Sequence, residues 1–96
     1  MIAIPLNPET AALAARIIWF EPPETALGDP IRFLAYAMAH ATPRDLRAIR
    51  QYLSDDDFRQ ALASAPPGII DPRSWSYWHA RLGLDPRRPR PARRLG

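Results

Sequence analysis

The segment Asp29-Pro30-Ile31-Arg32-Phe33-Leu34-Ala35-Tyr36-Ala37-Met38-Ala39-His40-Ala41-Thr42-Pro43 sets the fold class of this chain. Asp29 offers a carboxylate to the free N–H groups of a first helical turn, and Pro30, with a fixed φ and no N–H, suits the first helical position. Thr42-Pro43 repeats the signal, closing this segment and opening the next. Between the two, Ile31, Leu34, Ala35 and Met38 fill one side at helical spacing, while Phe33, Tyr36 and His40 form a second stripe. A helix with two such faces is either central to a core or open on one face to a partner or a second copy of the chain. Exposure of Phe33 and Tyr36 separates these readings.

On either side of this segment, Asn7-Pro8 and Asp71-Pro72 carry the same start signal. Thr42 with Asp45 and Ser54 with Asp57 have capping-box spacing, with Asp in place of Glu. Stops fall at Glu21-Pro22-Pro23, at Pro66-Pro67-Gly68 and at Gly83. Together they predict helices at about 8–19, 30–41, 43–52, 55–64 and 72–82. Ile17-Ile18-Trp19-Phe20 is the one place where a short strand competes, because β-branched and aromatic residues suit a pleated surface. Helical spacing assigns Leu13, Ile17 and Phe20 to a core, with Leu46, Ile49, Leu53, Phe58, Leu62, Trp75, Trp78, His79 and Leu82. The expectation is an all-α bundle of four or five short helices over residues 1–84, followed by an extended, flexible Arg/Pro-rich tail at 85–96.

Size and charge narrow the function. With 96 residues, 47% of them hydrophobic, the chain supports one modest core and not a large enzyme with a deep pocket. It has no cysteine, which excludes disulfides, thiolate metal sites and cysteine nucleophiles and fits a reducing cytoplasm. No apolar run reaches the roughly 20 residues of a membrane span. The net charge of +3 is unevenly placed: Arg87, Arg88, Arg90, Arg93 and Arg94 carry +5, so residues 1–86 carry −2. Such an arm binds RNA or DNA through phosphate, docks on an acidic protein, or only aids solubility.

Catalytic arrangements are poorly supplied. Asp71, Ser74, Ser76 and His79 include the residue types of a hydrolase triad, but one helix and its cap cannot bring them together. Asp55-Asp56-Asp57 has the oxygens that a hard cation wants, yet three acids in a first turn equally complement the helix dipole. That favours no metal, and no cofactor motif is present. Arg73, Tyr77 and Arg81 form an outer stripe suited to a partner's carboxylates or to phosphates, and Arg44, Arg47 and Arg50 form another. A helix-turn-helix around Tyr52-Leu53-Ser54 is disfavoured because its second helix opens on three carboxylates, the wrong sign for DNA.

Trp19-Phe20, Asp29-Pro30-Ile31-Arg32-Phe33-Leu34, Thr42-Pro43-Arg44-Asp45-Leu46 and Asp71-Pro72-Arg73-Ser74-Trp75-Ser76-Tyr77-Trp78, in this order, resemble small bacterial proteins encoded beside nucleotidyltransferase-like toxins of the AbiEii type. The resemblance covers about residues 17–84 and leaves out the tail. It implies an antitoxin-like role, binding and restraining a toxin, and supplies no catalytic residues. The expected partner surface is Phe33, Tyr36, His40, Arg73, Tyr77 and Arg81, with nucleic-acid binding through the tail arginines as the alternative.

Overall fold

Each pairing of a cap residue with a following proline begins a helix in the computed structural model, which describes residues 4–84. The helices are α1 (Pro8–Ile17), α2 (Pro23–Leu27), α3 (Pro30–His40), α4 (Pro43–Ile49), α5 (Asp55–Ser64) and α6 (Pro72–Arg81). The side chains of Asn7, Asp29, Thr42, Ser54 and Asp71 accept the backbone N–H three residues on, at 2.9–3.3 Å. Ser54 and Asp57 complete their capping box, whereas Asp45 turns away from Thr42 to pair with Arg16 at 2.8 Å. The expected tail at 85–96 lies outside the described residues.

Six helices, not four or five, make up the described chain, and it contains no strand. The additional helix, α2, starts at Pro23, which the sequence pattern marks only as a stop. A proline ends one helix and occupies the first position of another with equal ease, so the same residue serves both. The signal for α2 is nonetheless present: Pro-Glu-Thr-Ala opens both α1 and α2. The first helix also ends at Ile17, two residues early, and residues 18–21 make a turn.

The core runs through α3, which packs against α1, α2, α5 and α6. Phe33, Leu34, Ala35, Ala37 and Met38 are buried around most of its circumference. Against them lie Leu13, Ala14, Ile17 and Ile18 from the first helix and its end, Phe58 and Leu62 from α5, and Trp75, Trp78 and Leu82 from the last segment. Of the two apolar faces that the 30–41 stretch shows, one is largely buried and the other is buried only at Phe33, with Tyr36 half-buried and His40 exposed. The radius of gyration is 13.0 Å, about that of a globular chain of this length.

Helix C-termini are closed from a distance. Trp78 Nε1–H donates to the Met38 carbonyl at 2.9 Å, and Arg59 Nε–H to the Leu82 carbonyl at 3.1 Å. Met38 belongs to the last turn of α3 and Leu82 is the cap that follows α6, where carbonyls have no partner within the helix itself.

Candidate partner-binding surface

The early end of α1 reverses the expected role of two aromatic residues. Phe20, placed in the core by helical spacing, is 51% exposed, and Trp19 beside it is 78% exposed. Once the helix stops at Ile17, the 3.6-residue period no longer governs residues 18–21, and the turn directs both rings outward. Phe33, expected on the partner face, is 2% exposed and belongs to the core. Tyr36 is half-buried and His40 is exposed.

Four rings therefore form a continuous surface row across two elements. Trp19 meets Phe20 edge-on at 5.7 Å, Phe20 meets Tyr36 at 5.8 Å, and Tyr36 lies 6.3 Å from His40. These are the offset and T-shaped arrangements that aromatic quadrupoles prefer. A two-armed ion pair fixes the corner: Arg32 Nη1 and Nη2 donate to the two carboxylate oxygens of Glu21 at 2.5 and 3.2 Å. That bond raises the Arg32 pKa further above its ordinary value, Glu21 being the main cause. The same guanidinium lies 5.4 Å from the Tyr36 ring centroid. Glu21 thus ties the turn carrying Trp19 and Phe20 to α3, so the rings are positioned before any partner arrives.

The other expected partner residues lie on α6. Arg73, Tyr77 and Arg81 are exposed at spacings of four, as the stripe requires. Arg81 Nη1–H donates to the Tyr77 hydroxyl at 3.0 Å and its guanidinium sits 5.6 Å from the Trp78 ring. The comparable stripe on Arg44, Arg47 and Arg50 is broken, because Arg50 pairs with Asp55 and lies over Phe58.

The candidate catalytic groups are occupied elsewhere. His79 is buried, and its Nδ1–H donates to the Trp75 carbonyl at 2.7 Å; a carbonyl can only accept, which fixes the hydrogen on Nδ1. Ser76 is exposed, and Asp71 caps its helix. Of the three acids at 55–57, Asp55 pairs with Arg50, Asp56 with Arg59 at 2.6 Å, and Asp57 closes its capping box. Among the described residues no group of three or more His, Asp or Glu is placed to hold a metal, and no helix is long and apolar enough to cross a membrane.

The row of Trp19, Phe20, Tyr36 and His40 is only half legible in the sequence. The Tyr36–His40 spacing gives one half; the other requires knowing where α1 stops. Arg87, Arg88, Arg90, Arg93 and Arg94 lie outside the described residues. Comparison of this chain with known protein families, with curated proteins and with solved structures finds no match.

Proposed function

We propose that this chain is a non-catalytic binding protein, antitoxin-like or regulatory, whose partner is a protein of the nucleotidyltransferase type. The observation that carries the binding role is the pair of adjacent rings at Trp19 and Phe20, 78% and 51% exposed on a corner held by Glu21 and Arg32. Large aromatic side chains dominate interface energetics, and full burial of one contributes roughly 1.5–3 kcal/mol. The nature of the partner rests on the resemblance alone. Relative to the expected surface, Tyr36 and His40 are retained, Trp19 and Phe20 are added, and Phe33 is removed.

Co-expression with the neighbouring gene product tests this reading. The two proteins should co-purify and the growth defect caused by the neighbour should be relieved. The double variant Trp19→Ala/Phe20→Ala should lose both effects while remaining folded. Failure of the unaltered chain on both counts removes the proposal.

A second reading, a small nucleic-acid-binding module, is favoured by one feature of the sequence, the +5 charge after Pro86. It requires salt-sensitive RNA or DNA binding that disappears when residues 87–96 are deleted.

A further inference from the structure

A groove of about 290 Å³, whose lining shares no residue with the aromatic row, opens between α4 and α6 beside the end of α3. Met38, Leu46 and Trp78 give it an apolar floor, and Pro43, Arg73 and Tyr77 stand at its edge. Its volume is at the lower limit of small-molecule pockets, about 300–1,000 Å³, and suits anchoring side chains better than a whole metabolite.

Arg73 is the charged residue that lines it. Of the eight arginines among the described residues, Arg16, Arg32, Arg50 and Arg59 are in ion pairs. Arg73 on the groove edge is exposed and in no ion pair with another described residue. Arg47, one helical turn from Pro43, is likewise exposed and in no ion pair with another described residue, whereas Arg81 bonds to the Tyr77 hydroxyl and its charge acts on Asp55. The nearest acid in sequence, Asp71, caps α6 and accepts from the N–H of Ser74.

We propose that this groove receives an acidic amphipathic segment of a partner protein. Its apolar side rests on Pro43, Leu46 and Tyr77, above the buried Met38 and Trp78, and its carboxylates meet Arg47 and Arg73. The chain's own tail is a poor electrostatic match, since its five arginines carry the same sign as Arg47 and Arg73. The apolar side chains of Pro43 and Leu46 beside the arginines favour a protein segment over a nucleic acid, whose phosphates would use only the charge. The proposal is independent of the aromatic row and stands or falls apart from it.

The test uses the full chain, isotope-labelled, and a synthetic peptide of ~15 residues, long enough for a helix. The peptide has Leu at i, i+3, i+4 and i+7 and Glu elsewhere. It should shift the Met38 and Leu46 methyl signals and the Trp78 indole N–H. Arg47→Glu/Arg73→Glu should weaken binding at least tenfold and favour a peptide with Lys in place of Glu, whereas Trp19→Ala/Phe20→Ala should leave the affinity unchanged. The proposal is overturned if the peptide does not bind, if a scrambled peptide binds as well, or if the charge reversal has no effect. It is equally overturned if oligothymidylate shifts the same signals, or if those signals move with protein concentration alone, which would make a second copy the occupant.

Discussion

Trp78 contributes to stability in two ways that substitution can separate. Its ring fills the core against Phe58 at 5.3 Å, and its indole N–H satisfies the Met38 carbonyl. Trp78→Phe keeps most of the ring but leaves a buried carbonyl without its donor, which should cost about 1–3 kcal/mol in urea unfolding. Trp78→Ala also opens a cavity and should cost about 3–5 kcal/mol, a large share of the stability of so small a domain. Asp71 acts at the same scale through protonation. The Ser74 hydroxyl, then backbone N–H groups, hold its carboxyl below the usual range, and Arg50 does the same for Asp55. A carboxyl with a depressed folded pKa binds protons more readily when unfolded, so its stabilisation is complete above the unfolded value, about 3.9, and is lost as pH falls through the folded one. Asp71→Asn, which still caps, should flatten the acid limb of a stability–pH curve, while Asp71→Ala should cost about 1 kcal/mol at neutral pH.

At the level of elements, α6 ends in a complete Schellman motif. Gly83 has φ +74°, its N–H bonds to the Ala80 carbonyl at 3.2 Å, and the Leu84 N–H reaches the His79 carbonyl at 2.7 Å. Leu84 packs on the core, as the residue after the glycine usually does in this motif. There is open space where a Cβ would sit at Gly83, so the obstacle to a side chain is backbone conformation alone. Gly83→Ala should therefore destabilise by on the order of 1 kcal/mol, seen as a lower unfolding midpoint. The turn after α1 makes the contrasting case. Trp19→Ala removes an exposed ring and should change stability by no more than about 0.5 kcal/mol. Any larger loss of partner binding in that variant then belongs to the interface.

For the whole molecule, deleting residues 87–96 converts a net charge of +3 into −2. The described core ends at Leu82 and Leu84, so the unfolding transition should stay within about 0.5 kcal/mol while electrophoretic mobility changes sign. A shifted transition would show that the arm contributes to folding. Five of the six helix starts and the all-α class are legible in the sequence, because capping is a local contract between a side chain and an N–H three residues away. The core on α5 and α6 is legible for a related reason: Phe58, Leu62, Trp75 and Trp78 keep helical period within uninterrupted helices. Which apolar residues are spare is not legible in the same way. Phe33 is core and Phe20 surface because a residue's burial depends on what packs over it, and that depends on where α1 stops and on α3 being enclosed by four neighbours. The Glu21–Arg32 and Arg16–Asp45 pairs, 11 and 29 residues apart, likewise have no local signature. Amino-acid order alone therefore specifies the helices and most of their ends, through contacts spanning three or four residues. Which rings and charges remain free for a partner is settled by packing between helices, since exposure is a property of the assembled surface and not of any one segment.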